Sequence, residues 1–402
     1  MQKKAMYEMH KYWGKKPGDN IVKYICKYSR ENDMVLDPFA GYGVIACESF
    51  LNNRNVIIND LNPISNFINL NLLTNDFDQD ELQNTWEKIK NHFKKINDEW
   101  YSCLIEGELV EVISTLRTKN DIPYRIKYIK GGKSFEKNLS QDEINQILTK
   151  ESEMIISEWY PHIQLIENSR ISAKPGMTVD SLFTRRELIC LSKLLDLIEK
   201  YSNGTTKNFL KLAFSANVAN CSKLVPPVKS RGEMAQGAWM TGFYIGNSYI
   251  ENNVLHYFQN RLIKVIKGKK QFLELAKGLK STYKITNCNA CDLKEIDDNS
   301  IDYVFTDPPY GDTVPYFEQS IIWNSWLKMQ VDYESEIVIS NSKIRNKGQD
   351  VFSEDIKKSY TEIHRVLKDG AYFTFTFHSI SGYVWKSIVN ACLLNNFEFI
   401  DF

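Results

Sequence analysis

No stretch of the chain approaches the roughly 18 to 20 consecutive apolar residues that a bilayer-spanning helix needs. The opening residues, MQKKAMYEMHKYWGKKPGDN, hold no apolar run of signal-peptide length. A membrane partner and a secretory route are therefore not expected, and a cytoplasmic location is. Net charge is also lacking, because 50 Lys plus Arg balance 50 Asp plus Glu. No global positive field announces nucleic acid, so any basic surface must be local. There is no internal repeat and no low-complexity segment. The 8 cysteines are scattered, mostly inside apolar segments such as YICKY and IACES, which points to reduced, buried thiols. Cys288-x-x-Cys291 has no second pair to complete a zinc site and reads as packing, so no metal is expected.

What remains is an ordinary globular composition, 43% apolar and 25% charged, over 402 residues. That length suits two domains, or one core with a large insertion. MVLDPF (34–39) reads as a buried strand ending at an acid and a proline, followed by the glycines of AGYG and a helical pattern. NVIIND (55–60) gives a second strand with Asp60 at its carboxyl end, and a further helix follows. Strand, Gly-rich turn, helix, strand, acid and helix open a doubly wound, mostly parallel Rossmann-like α/β sheet.

The alternation then stops. Leu82, Trp86, Ile89, Phe93, Ile96 and Trp100 recur at helical spacing, which predicts one long helix over 80–103. YRIKYIK, Gly131-Gly132 and KSFEK predict a basic hairpin. Thr184 and Glu187 form a capping box opening another helix, and Val254, Phe258, Leu262 and Val265 stripe a further one. The sheet resumes with the strands YKIT, IDYVFTD and YFTFTF, and FEFIDF reads as a closing strand. A mainly helical insertion at 76–280 thus splits one sheet domain, 1–75 and 281–402, and exceeds any ordinary connecting loop. A chain ending on an apolar strand suggests truncation at the carboxyl terminus.

Ligands of such sheets sit beyond the carboxyl ends of the strands, and two loops there are unusual. Asp37-Pro38-Phe39-Ala40-Gly41-Tyr42-Gly43 lets the backbone approach a ligand before a helix start that offers free N–H groups. Asp60 stands where a carboxylate accepts ribose hydroxyls. Gly41-x-Gly43-x-x-Ala46 with this acid also fits a dinucleotide site, which keeps an NAD-dependent dehydrogenase open. In Asp307-Pro308-Pro309-Tyr310 the prolines remove two N–H donors and leave rigid carbonyl acceptors beside a carboxylate. Such a cluster suits the exocyclic amine of a nucleobase, with Tyr310 as a flat face.

FAGYG together with TDPPYG resembles the DNA amino-methyltransferases, which methylate adenine N6 or cytosine N4 with S-adenosylmethionine. Phe39, Gly41 and Gly43 match that family's cofactor loop, and Asp307, Pro308, Pro309 and Tyr310 match its catalytic segment. HKYWGKKP (10–17), through Lys16 and Pro17, is similar to its third cofactor segment. The motif order resembles the family's alpha arrangement, in which the insertion holds target recognition. One departure is that the insertion precedes YKIT rather than following it. The acid near the cofactor adenine stays open between the position of Asn289 and Asp292, three residues later.

The resemblance implies catalysis by Asp307, Pro308, Pro309 and Tyr310. It implies S-adenosylmethionine bound by Lys16, Pro17, Asp37, Pro38, Phe39, Ala40, Gly41, Gly43, Asp60 and Asp292. Asp at the first motif position leans toward adenine. Cytosine N4, an RNA target or a catalytically inactive DNA-binding relative are the alternatives. Cytosine C5 chemistry is disfavoured because no Cys follows a Pro. The target base must leave the duplex, so DNA contacts are expected. Lys229, Arg231 and Trp239 in PPVKSRGEMAQGAWMTGFYIGNSY come first, with Lys269 of KGKK and the basic hairpin second. A restriction–modification or defence partner is the implied setting.

Overall fold

The computed structural model describes residues 4–379 and 381–400. After a short 3₁₀ turn, Ala5–Glu8, come α1 (Gly18–Tyr28), β1 (Met34–Asp37), α2 (Val44–Leu51), β2 (Asn55–Asn59) and α3 (Pro63–Leu73). Next stand α4 (Gln79–Trp100), β3 (Ser102–Ile105), β4 (Glu108–Thr118), β5 (Pro123–Lys130), β6 (Lys133–Asn138) and α5 (Gln141–Glu153). They are followed by α6 (Arg185–Tyr201), α7 (Gly204–Val218), β7 (Ser248–Asn252) and α8 (Val254–Leu275). The chain then returns through β8 (Tyr283–Thr286), β9 (Ile301–Thr306), α9 (Tyr316–Trp326), α10 (Gln349–Val366), β10 (Leu367–Phe375) and α11 (Gly382–Leu394).

Five parallel strands pair in the order β10-β9-β1-β2-β8. Their near-continuous apolar runs follow from burial on both faces. One core packs α2, α3, α7 and α8 against the sheet, and a second packs α10 and α11 against its other face. The Rossmann-like α/β expectation holds. β1 lies at the centre with β9 on one side and β2 on the other, which is where strand order reverses and ligands bind.

The segment between α4 and α8 stays outside the parallel sheet but shares its core. It is mainly helical and adds an antiparallel sheet, β3-β4-β5-β6 with β7 against β4. The predicted hairpin is β5–β6, and the capping box makes both of its bonds, Thr184 to Glu187 and back. Arg117 and Arg186, both buried, bridge Glu151 and Glu251 and tie β4, α5, α6 and β7 together. The closing strand does not form over 397–400, and Asp401 and Phe402 lie outside the described residues. Phe397 instead donates its N–H to the Cys392 carbonyl at 3.0 Å, ending α11, and packs on Phe373. Among the described residues no helix is long and apolar enough to cross a membrane.

The amino-terminal segment is held by the intervening helices. A Cβ on Gly268 would come within 2.4 Å of Met9 Cγ and 2.8 Å of the Ala5 carbonyl, so α8 needs glycine there for the close approach. His10 bridges the Lys11 carbonyl at 2.7 Å and the Ser215 hydroxyl of α7 at 3.1 Å. Lys269, expected on a DNA-facing surface, is fully buried. Its ammonium bonds the carbonyls of Asn71, Leu72 and Thr74 just where α3 ends. A helix carboxyl end offers orphan carbonyls and a negative dipole, so this lysine is a cap. Lys269→Met should destabilise the fold by about 3 kcal/mol, because buried carbonyls lose their donors. Affinity for bulk DNA should be unchanged. Denaturant unfolding and salt-titrated DNA binding check this, and weakened binding at full stability would return Lys269 to the DNA surface.

Candidate functional site

The carboxyl ends of β1 and β9 deliver Asp37 and Asp307 to one place. The Thr306 hydroxyl donates to Asp37 Oδ1 at 2.7 Å across the two strand ends. Beyond them opens a cleft with about 900 Å³ of empty space, lined by Asp37, Pro38, Phe39, Ala40 and Gly41 from the first loop and Asp307 and Pro309 from the second. Trp13 to Lys16, Asp60, Asn289, Tyr316 and Glu336 complete the wall. Pro17, Gly43, Asp292, Pro308 and Tyr310 are outside this lining.

Around Asp307 the carboxylate is well supplied. Lys16 Nζ lies 2.9 Å from Oδ2, and Oδ1 accepts from the Thr376 hydroxyl at 2.7 Å and from the Tyr310 hydroxyl. Lys16 also reaches the Tyr310 oxygen at 2.5 Å. Three donors on a group with roughly four acceptor positions leave room for one more. Tyr310 is not the open flat face expected: it is buried, with Phe377 edge-on to its ring and the Lys16 ammonium 5.1 Å from its centroid. Trp13 and Tyr316 are among the aromatic residues that do line the cleft, with Tyr12 and Phe39. Gly14, at φ +73°, brings this segment so near that a Cβ would sit 3.7 Å from Asp307 Oδ2 and 3.6 Å from the Tyr316 hydroxyl oxygen.

The glycine loop after β1 is braced from below. Asp60 accepts from the Gly41 N–H at 2.7 Å, the Asn62 N–H at 2.8 Å and the Ser65 hydroxyl at 2.9 Å. Its carboxylate thus holds the glycine turn as well as lining the cleft, and burial raises its pKa. Gly43 acts through packing, since at φ +82° a Cβ would fall 1.5 Å from Asn69 Oδ1. The Asn59 amide joins the loops after β1 and β8 by donating to the Pro38 and Cys288 carbonyls at 3.2 and 3.0 Å. The open position after β8 goes to Asn289, which lines the cleft. Asp292 is exposed and away from it, three residues being enough to turn it out through the Asp292 N–H bond to the Asn289 carbonyl.

Trp239, like Lys269, fails the expectation of DNA contact on burial. Trp239 is a core residue, edge-on to Trp323 and covered by Lys11, and Phe243 beside it is also buried. Lys229 and Arg231 are exposed. Asp312, just past the second loop, pairs with Arg170 at 2.6 Å. Glu336 and Tyr12 escaped sequence reasoning, Glu336 because it follows no motif. The YWGKK segment did carry a signal, a glycine between aromatic and basic residues.

Asp37 Oδ2 is buried and has no hydrogen-bond partner. Burial pushes its carboxyl up to about 7, opposed by the bonds from Thr306 and Phe39. Glu336 is pushed up to about 8 by burial, against the neighbouring Arg345 guanidinium. Four carboxylates, Asp37, Asp60, Asp307 and Glu336, face two ammonium groups, Lys15 and Lys16.

Residues 12–165 match the family model of the D12 class N6 adenine-specific DNA methyltransferases. The match supports adenine-N6 methylation of DNA as the reaction and makes the chain an enzyme. It spans the cofactor loop and ends well before Asp307. Comparison with curated proteins gave no match.

The Asp37 carboxyl makes a test of this geometry. Free in an unfolded chain it titrates near 4, and in the fold near 7. Between those values the folded state keeps a proton that the unfolded state has lost, so its contribution to stability falls as pH rises from about 4 to about 7. Asp37→Asn should flatten that part of the profile, measured by urea unfolding across the range. An unchanged slope would mean that Asp37 is not held proton-bearing.

Proposed function

We propose that the cleft binds S-adenosylmethionine and an extruded adenine side by side, with Asp307 directing the amine. The observation that carries the reading is the meeting of the cofactor loop and the Asp307 loop in one acid-rich cleft. When bound, the cofactor supplies an electrophilic methyl group on a cationic sulfur.

The residues present fit that molecule. Asp37 holds an unpartnered buried oxygen toward the cleft, a ready acceptor for a cationic ligand. The turn at Gly41, pinned by Asp60, keeps the backbone close to whatever lies on it. Asn289 and Ala290 line the side nearest β8 and offer a place for an adenine ring.

The amine of adenine is a poor nucleophile because its lone pair is conjugated with the ring. Asp307 has one acceptor position free, and the Pro308 carbonyl cannot be drawn into a local turn by its neighbour, since Pro309 has no N–H. Together they accept hydrogen bonds from the two amine N–H groups, turn nitrogen toward sp³ and stabilise the positive charge that develops on it, one proton leaving toward the Asp307 carboxylate once the methyl is transferred. Lys16 limits the charge on Asp307 and fixes its orientation through Tyr310. Trp13 and Tyr316 supply the aromatic walls on which the base stacks, a contact worth about 1–3 kcal/mol and so comparable with the cost of extrusion. In this reading 1–75 and 281–402 are catalytic, 76–280 holds target recognition, and exposed Lys229 and Arg231 meet phosphate.

Asp307→Ala should lower methyl transfer to DNA by at least 10²–10³-fold, the order seen when one preorganised polar contact is removed. Calorimetric binding of S-adenosylhomocysteine should persist. Transfer retained near the wild-type rate would take Asp307 out of the mechanism. Mapping modified bases in DNA from expressing cells reads the target atom directly.

A further inference from the structure

Beside the cleft stands a loop whose function no motif explains. An isolated bridge pairs Ser340 with Lys347 and closes the turn whose apex is Lys343-Ile344. Ile344 is 75% exposed. A single exposed isoleucine is ordinary on a protein surface. This one stands on an unusual foundation. Its neighbour Arg345 has a buried guanidinium that bonds Glu318 Oε1 at 2.9 Å, the Tyr333 carbonyl at 2.8 Å and Glu336, a wall of the cleft. On the other side of the stem, the Ile339 N–H bonds the carbonyl of Gly311, the residue after Tyr310, at 3.3 Å. Ile339 also fills the space where a Cβ on Gly311 would meet its Cδ1 at 3.1 Å. An apolar tip is thus keyed to a wall of the cleft through Arg345 and to the loop that carries Asp307 through Ile339.

Facing it across a solvent-open hollow is the segment 164–173 of the intervening region. Arg170 there holds Asp312 through its carboxylate at 2.6 Å and its carbonyl at 3.1 Å, and Ser169 is tied to Asn341 at 3.1 Å. Exposed Lys343 stands on one bank and the acid Glu167 on the other.

We propose that the 340–347 loop is a DNA wedge: Ile344 enters the duplex beside the cleft and fills the place left by the extruded adenine, while Lys343 and Arg170 meet the flanking phosphates. The inference rests on the reading of the cleft given above. Apolar side chains inserted at base steps hold DNA unstacked, and an extruded base leaves a gap that must be filled or collapse. A buried arginine gives the tip the rigidity that such insertion requires, and a surface ion pair such as Arg170–Asp312 exchanges readily for phosphate.

Two measurements test the wedge. Ile344→Ala should lower kcat/KM for duplex DNA about tenfold or more, with less loss on heat-denatured DNA, whose bases are already unstacked. S-adenosylhomocysteine binding should be unchanged. Equal losses on both forms of DNA, or none, would overturn the proposal. Independently, benzoylphenylalanine in place of Ile344 should photocrosslink to duplex DNA, whereas the same group at exposed Leu394 on α11 should not. No crosslink at 344, or equal crosslinking at both positions, would also overturn it. Failure of the cofactor reading shows separately, as absent S-adenosylhomocysteine binding with the crosslink still readable.

Discussion

A hydrogen bond from the Thr306 hydroxyl to the Asp37 carboxylate joins two strand ends that lie 269 residues apart in sequence. It exists because β1 and β9 are neighbours at the sheet centre and both end in a buried polar residue that needs a partner. Everything at the site follows from that adjacency. The glycine loop leaves one strand end, Asp307 leaves the other, and the crevice between them is where an open α/β sheet exposes the starts of its helices. Pairing β1 differently would separate the two loops, however well each kept its own geometry.

The molecule treats buried charge in two contrasting ways. In the intervening region, Arg117 and Arg186 meet Glu151 and Glu251 in a closed network, and Arg117 and Glu251 are wholly buried. Coulombic attraction from the two arginines holds the Glu251 carboxyl down to about 2 even though burial opposes it. Such a network specifies how β4, α5, α6 and β7 fit together and has little left to offer a ligand. At the cleft the acids are not closed in this way. Asp37 keeps one unpartnered oxygen, and Asp307 keeps an acceptor position. A buried oxygen without a hydrogen-bond partner lowers stability, and a ligand that bonds it offsets that cost. The difference between completed and uncompleted networks separates architecture from function here.

Much of this was legible from residues alone. Local signals sufficed for β1, β2, β9 and the helices at 79–100, 185–201 and 254–275, because apolar periodicity and the Thr184–Glu187 box are written within a few residues. The two loops were legible because glycine and proline constrain backbone wherever they occur. Contacts made at long range were not. Lys269 sits in a basic run, KGKK, and only the position of α3 shows that it faces carbonyls rather than solvent. Trp239 lies in a Gly-rich stretch that reads as surface, yet the ring packs against Trp323. Glu336 joins the site through Arg345, nine residues later, a pairing that no spacing rule anticipates. FEFIDF alternates like a strand, but Phe397 goes to the end of α11 and to Phe373.

The intervening region and the cleft cannot move independently in this fold. The intervening helices do not stand apart from the sheet; α7 and α8 share its core and grip the amino-terminal segment at Ser215 and Gly268. That segment ends in Lys16, which bonds both Asp307 and Tyr310. On the opposite side, Arg170 holds Asp312 and Asn341 holds Ser169. The Asp307 loop is therefore clamped between two extensions of the same region. A shift in the intervening segment, of the kind that binding a long charged polymer imposes, must reach Asp307 through Lys16, through Asp312 or through both. Close-packed cores pass such displacements on rather than absorb them, so a shift in the intervening region is expressed as the alignment of a single carboxylate.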